Sequence, residues 1–220
     1  MITMRDALRL YSQQDLFIRS FVKVRHLLSP LEALEGFVAK EGNILDVGCG
    51  HGLFTNYMAL KSNRRNIIGI DPSLSKINVA RKTEGMVHNV KFIRAEVDAA
   101  SKYGPFDAVT IVDVLYLLPH AKQKELLRAC LGLLKPTGFL VLKTQDTKPQ
   151  WQFALTYIQE VVMVKVFRLT LGNQSLYFMP EHETRKILEE VGFISIEYHN
   201  LPNRIIYPNI AFICVKDAGR

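Results

Sequence analysis

The nine residues from Ile44 to Gly52, Ile-Leu-Asp-Val-Gly-Cys-Gly-His-Gly, constrain this chain most: an apolar run breaks into three glycines on alternate positions. An apolar run of this length reads as a buried strand. Glycine tolerates positive φ and has no Cβ, so a backbone rich in it can turn sharply and lie directly against a ligand. Phe54-Thr55-Asn56-Tyr57-Met58-Ala59 then begins a helix. A dinucleotide fingerprint needs glycine at the first, third and sixth places of such a turn. Counted from Gly48 the sixth place is Leu53, which argues against a dehydrogenase.

A second apolar run, Ile67-Ile68-Gly69-Ile70, stops at Asp71-Pro72-Ser73. A carboxylate about 20 residues beyond a glycine turn can accept both hydroxyls of a ribose in a doubly wound fold, although Asp-Pro-Ser is also a good turn and helix start. Together the two segments resemble the class I S-adenosylmethionine-dependent methyltransferases. The resemblance implies that Asp46, Gly48, Cys49, Gly50 and Gly52 cradle the methionine part of the cofactor and that Asp71, with Pro72, holds the ribose. It continues through Val90-Lys91-Phe92-Ile93-Arg94-Ala95-Glu96-Val97 as a third strand and its exit, placing Glu96 and Val97 at the adenine. Glu96 departs from the Gly-Asp pair common at that place. Phe106 to Asp113 resembles the fourth strand, with Asp113 on the ligand edge, and the helix end, turn and fifth strand run through Leu133-Leu134-Lys135-Pro136-Thr137-Gly138-Phe139-Leu140-Val141-Leu142.

The implied fold is α/β, a Rossmann-like, mostly parallel seven-stranded sheet with the last strand antiparallel and helices on both faces. At 220 residues with 48% hydrophobic and 22% charged residues, the chain suits a single domain spanning 1–220. Residues 1–40 read as helices, with Leu8, Tyr11, Phe17, Ile18, Phe21 and Val22 at three- and four-residue steps, and resemble the family's substrate lid. Residues 42–144 form the cofactor-binding core. Its clearest helix carries the stripe Leu126, Leu127, Cys130, Leu131, Leu134 and ends at Lys-Pro-Thr-Gly. Residues 145–179 form a substrate cover, with an amphipathic helix at 151–164 and an aromatic insertion at 165–179. Residues 180–220 hold a helix with Pro180 at its first turn and strands at 193–199 and 210–215.

No secretory signal or membrane span is legible, since Arg5, Asp6 and Arg9 stand near the start and the apolar region 153–171 is broken by Gln159-Glu160, Lys165 and Arg168. A cytoplasmic protein is expected, with peripheral membrane contact open and oligomeric state undetermined. Cys49, Cys130 and Cys214 have neither disulfide nor zinc spacing, and no metal is expected.

The resemblance implies methyl transfer from S-adenosylmethionine, with S-adenosylhomocysteine as product. The residues at the ligand edge that could assist are His51, Asp113, Tyr116, His120 and Lys143, with Tyr116 and His120 as the catalytic candidates after the fourth strand. His51, in the variable place of the turn, is expected to cap or to face solvent. Asp113-Val114-Leu115-Tyr116 lacks the Pro-Pro-aromatic sequence of amine and amide methylases, which favours oxygen or carbon on a small hydrophobic, aromatic or lipid-like acceptor. Lys148, Lys165 and Arg168 could steer an anionic carrier. A net charge of +7 admits RNA, but the basic residues are dispersed. Three readings therefore stand: a small-molecule or lipid methyltransferase, an RNA or protein methyltransferase, and a cofactor-binding domain without catalysis.

Overall fold

The computed structural model describes residues 2–151, 153–154, 157–158, 176–202 and 208–217. Three helices lead: α1 (Met4–Arg9), α2 (Leu16–Leu28) and α3 (Leu31–Glu35). Asp15 starts α2 by accepting the Ile18 N–H at 2.9 Å, satisfying a donor that the first helical turn leaves orphaned. The core then alternates β1 (Gly42–Val47), α4 (Leu53–Lys61), β2 (Arg65–Asp71), α5 (Leu74–Arg81), β3 (Val90–Arg94), β4 (Phe106–Val112), α6 (His120–Leu133) and β5 (Leu134–Gln145). Helix α7 (Glu181–Val191) ends at Gly192, whose φ of 111° suits glycine, and β6 (Phe193–Asn200) and β7 (Asn209–Lys216) complete the sheet.

The strand order is β3-β2-β1-β4-β5-β7-β6. The first five strands are parallel, and β7 runs antiparallel to both β5 and β6. The expected sheet is therefore observed. Its order reverses between β1 and β4, the place where open α/β sheets leave a crevice at their carboxyl ends.

Each face of the sheet carries its own apolar layer. Met4, Ala7, Tyr11, Ile18, Val22, Leu34 and Met58 pack on one side with Ile44, Ala108 and Val141. Leu127, Cys130, Leu133 and Leu188 pack on the other with Leu45, Val109, Leu140 and Leu142. The helices that precede β1 thus cover one face, and α6 and α7 cover the other.

Lys-Pro-Thr-Gly does not close α6 as the sequence suggests. The helix stops at Leu133, Leu134 already pairs with Phe106, and regular pairing resumes only at Phe139 opposite Ala108. The tetrapeptide is an irregularity inside β5: Pro136 has no N–H for a ladder, and Thr137 takes a φ of 62°. The helix expected at 151–164 and the insertion at 165–179 lie largely outside the described residues. Gln150, Trp151, Phe153, Ala154, Tyr157 and Ile158 are helical.

Arg65, fully buried at the start of β2, locks the segment after α3 to the core. Its guanidinium donates to Ala39 O at 2.6 Å, Met58 O at 2.7 Å and Glu35 Oε1 at 2.7 Å. Removing Arg65 leaves the buried Glu35 carboxylate with only the half-exposed Lys40 at 3.2 Å and takes the guanidinium donors from Ala39 O and Met58 O. Arg65→Leu is therefore expected to cost about 3–5 kcal/mol, read as a lowered denaturation midpoint in urea. A variant as stable as the parent would contradict this role.

Candidate active site

The glycine turn leaves β1 with φ of 71° at Gly48, 58° at Gly50 and 83° at Gly52. A Cβ on Gly48 would come within 2.4 Å of Val114, whereas one on Gly50 would meet nothing within 4 Å. Gly48 thus closes the turn against the protein, and Gly50 opens onto free space. The turn is folded back over the end of β2: Gly48 and Cys49 N–H both donate to Ile70 O, at 2.8 and 2.9 Å. Gly50 N–H donates to Asp71 Oδ2 at 3.1 Å, and Ser73 N–H to Oδ1 at 2.8 Å. Each Asp71 oxygen keeps further acceptor capacity.

Asp46 faces inward beneath the turn. Its carboxylate accepts Thr55 Oγ1 from α4 and Thr110 Oγ1 from β4, at 2.5 and 2.7 Å. Burial raises its pKa to about 6 against the lowering effect of both hydroxyls. It braces the turn from below rather than facing the space above Gly50. Cys49 packs against Gly69, and burial, with the Asp46 and Asp71 carboxylates nearby, pushes its thiol well above the usual range. A thiol so raised stays protonated and poorly nucleophilic.

His51 does not face solvent as expected. It is buried, its ring centroid 4.8 Å from that of Phe21 on α2, and its carbonyl accepts the Tyr11 hydroxyl at 2.7 Å. Burial, reinforced by Lys76, lowers its pKa to about 4, so the imidazole is neutral at neutral pH. The reason for the difference is tertiary: the N-terminal helices lie over the turn.

Asp113 leaves β4 with a φ of 57° and joins a buried charged group. Its carboxylate pairs with Lys143 Nζ at 2.5 Å and with Arg25 of α2 at 2.8 Å, and accepts Ser29 Oγ at 3.2 Å. Burial alone would raise its pKa, but Lys143 and Arg25 outweigh it and hold the carboxyl below the usual carboxylate range. Pro72 and Glu96 are exposed, and Glu96 precedes the short 3-10 helix that Val97 begins, its carbonyl accepting the Ala99 N–H at 3.2 Å.

The two catalytic candidates stand in different settings. Tyr116 is buried and stacks on Phe178 with ring centroids 4.4 Å apart, and Phe178 in turn meets Phe153 edge-on at 5.2 Å. Tyr177 N–H donates to Tyr116 O at 2.7 Å, fixing this aromatic group to the segment after β4. His120 is exposed on the first turn of α6, edge-on to Tyr177 at 5.8 Å. The structure brings Tyr116, Phe153, Tyr157 and Phe178 together and leaves His120 on the outside. Sequence reasoning missed Tyr11, Arg25, Ser29, Thr55 and Thr110. The available signal was weak: only the polar Lys143 and Gln145, ending an otherwise apolar strand, marked the charged group.

No group of three or more His, Cys, Asp or Glu suited to a metal occurs among the described residues. No described helix is long and apolar enough to cross a membrane.

A glycine turn after β1, a carboxylate ending β2 and an antiparallel seventh strand beside parallel ones define the class I methyltransferase architecture. A family profile described as methyltransferase domain matches residues 18–197, and the chain belongs to that family, the class I S-adenosylmethionine-dependent methyltransferases. A ubiquinone biosynthesis O-methyltransferase of Xanthomonas campestris pv. campestris is 36% identical over 140 residues, 62% of this chain and 57% of that protein. The enzyme of that name from Xanthomonas axonopodis pv. citri is 35% identical over the same length. The chain thus spans 57% of the length of these curated relatives. Among solved structures, the magnesium protoporphyrin IX methyltransferase of Synechocystis, with bound S-adenosylhomocysteine, matches with a TM-score of 0.67 at 21% identity, covering 95% of this chain and 92% of that one. The methyltransferase SibL matches with a TM-score of 0.72 at 19% identity, covering 96% and 62%. At these identities the solved structures speak for the fold.

The raised pKa of Asp46 has a sign that can be tested. A carboxyl whose folded pKa lies above its unfolded value contributes stability below the unfolded value and loses it as pH rises through the folded one. Asp46→Asn should therefore gain on the parent between about pH 4 and 6, by on the order of 2–3 kcal/mol. His51 acts oppositely, its depressed pKa costing stability as pH falls from 6.5 toward 4, but it is common to both proteins and cancels. Urea unfolding at half-unit steps from pH 4 to 7 reads the difference. Parallel profiles would remove the assignment.

Proposed function

We propose that this chain transfers a methyl group from S-adenosylmethionine to an oxygen of a small hydrophobic, aromatic or lipid-like acceptor. The observation that carries the reading is the Gly50 cradle, open to free space and hydrogen-bonded to the Asp71 carboxylate at the carboxyl edge of β1 and β2. The residues fit the cofactor: Gly50 and the turn would take its methionine portion, and Asp71 its ribose hydroxyls. When bound, the cofactor supplies a methyl group already activated by a sulfonium.

The chain's own residues then bind, orient and exclude water. Holding nucleophile and methyl at near-attack distance can supply roughly 7–11 kcal/mol without a covalent intermediate. We assign Tyr116, Phe178, Phe153 and Tyr157 to the wall of the acceptor site, because they cluster directly after β4. Tyr116 serves there as a packed ring rather than as a base, and the exposed His120 takes no part in proton transfer. We extend the reading to the described chain as one methyltransferase domain, with the helices before β1 covering the site from one side. Exposed Trp151 and Ile158 beside this wall, with the basic Lys148 nearby, support a lipid-like or anionic-carrier acceptor reached from a membrane surface. The oxygen acceptor is supported by the names of the Xanthomonas relatives.

Asp71→Ala should lose at least about tenfold in S-adenosylhomocysteine affinity, since charge-assisted hydrogen bonds are worth about 1.5–3 kcal/mol each. Asp71→Asn, which keeps one acceptor oxygen, should lose less. Titration calorimetry on the folded variants checks both, and unchanged binding by Asp71→Ala would sink the cofactor assignment. A methyl-transfer screen of alkyl phenols and lipid-like phenols against polar acids and total RNA checks the acceptor class. Turnover confined to RNA or polar acids would overturn it.

A further inference from the structure

Strand β5 runs two residues farther than its neighbour β4. Val112, the last residue of β4, pairs with Lys143, and the chain then turns away at Asp113. Thr144 and Gln145 continue with only β7 beside them, opposite Ile210 and Asn209. The flank that β4 vacates lies at the carboxyl edge of the sheet, the edge that carries the glycine turn. Side chains alternate along a strand; Phe139 and Val141 pack with the N-terminal helices, while Leu140 and Leu142 pack with α6 and α7. Lys143 and Gln145 therefore face the N-terminal helices, on the side from which Arg25 and Ser29 reach Asp113.

Gln145 is 3% exposed, and its Oε1 is buried with no hydrogen-bond partner among the described residues. A buried amide oxygen without a donor lowers folding stability, and such a group in a native site calls for a ligand or another explanation. The cofactor is poorly placed to satisfy it. Its cradle lies at β1 and β2, and β5 is two strands beyond β1, about 10 Å away at the usual strand spacing. Gln145 stands at the same carboxyl edge of the sheet, beyond β4 from the cradle, where the reading above puts the acceptor.

Building on the methyltransferase reading above, we propose that the Gln145 side chain is a specificity-determining contact that accepts a hydrogen bond from a second hydroxyl of the acceptor, distinct from the oxygen that is methylated. An amide oxygen recognises a donor, and the Lys143 cation two residues back on the same face of β5 disfavours a cationic amine, so the donor proposed is a neutral one, a hydroxyl. Asp113 is occupied by these cations and Ser29, so the hydroxyl is read by Gln145. A site built to hydrogen-bond a hydroxyl rejects an analogue without it far more strongly than an apolar pocket rejects a missing methylene.

The test uses the full chain loaded with S-adenosylhomocysteine and two probes that differ by one hydroxyl, 4-hexylresorcinol and 4-hexylphenol, titrated calorimetrically. The parent should bind the diphenol about tenfold more tightly. Gln145→Met, close in shape but without the amide, should bind both probes equally and should hold S-adenosylhomocysteine as the parent does. Its thermal midpoint should not fall, because no hydrogen bond among the described residues is lost. Equal binding of the two probes by the parent, binding of neither, or a preference that survives in Gln145→Met would overturn the proposal. Should Gln145→Met fold poorly, Gln145→Leu gives the same comparison, and the parent's own preference decides in either case. Failure of the parent to bind S-adenosylhomocysteine would instead bring down the methyltransferase reading.

Discussion

The hydrogen bond from Gly50 N–H to the Asp71 carboxylate joins the end of β1 to the end of β2 at the place where a ligand must lie. Parallel pairing brings Val47 level with Ile70, so the chain leaving β1 can fold back and give two N–H groups to the Ile70 carbonyl. The cradle and the carboxylate are therefore one unit. Val114, just past β4, seals Gly48, and the ring of Phe92 on β3 seals Gly52. Substituents on β3 and after β4 thus bound a turn that belongs to β1, which makes the site a property of the sheet order.

Three carboxylates stand at neighbouring strand ends, and the fold treats each differently. Asp46 is met by neutral hydroxyls, which compensate its burial only in part, so its pKa rises to about 6. Asp113 is met by two cations, which more than compensate, and it stays ionised. Asp71 is met by two backbone N–H groups, which orient its oxygens, with the Lys76 ammonium in its surroundings. Desolvation penalises all buried carboxylates alike, so the difference lies in the partners. The carboxylate left with backbone partners and spare lone pairs is the one suited to hold hydroxyls of a ligand.

The elements readable in the sequence were those whose constraint is local. Alternate glycines report a backbone that must reach positive φ, and Ile67 to Ile70 report a strand buried on both faces, so the turn after β1 and the end of β2 were legible from Asp46 to Asp71. Where the constraint comes from distant chain, the sequence misled or was silent. His51 looks like a surface residue of a turn until Phe21 of α2 is laid against it. Lys-Pro-Thr-Gly has the composition of a helix stop, yet Leu134 is already recruited by Phe106, and the same residues become an irregularity in β5. Arg25 and Ser29 carry no motif at all. Their meaning appears only when α2 meets the end of β4, a pairing separated by more than eighty residues.

The helices that precede β1 touch the site at both of its ends. Tyr11 donates to the carbonyl of His51 in the glycine turn while accepting Asn56 Nδ2 from α4 at 3.0 Å, and Asn56 donates to Thr83 at 2.9 Å. Burial pushes the Tyr11 phenol far above its usual pKa, so it remains a donor at neutral pH. Fourteen residues on, Arg25 reaches Asp113 and the carbonyl of Val112 at the end of β4. Between them Phe21 lies on His51. One N-terminal segment thus fixes both the glycine turn and the charged group at the end of β4. It follows that the two halves of the site cannot be positioned independently: displacement of α2 would uncover His51, release Asp113 to Lys143 alone, and open the face on which Gln145 stands.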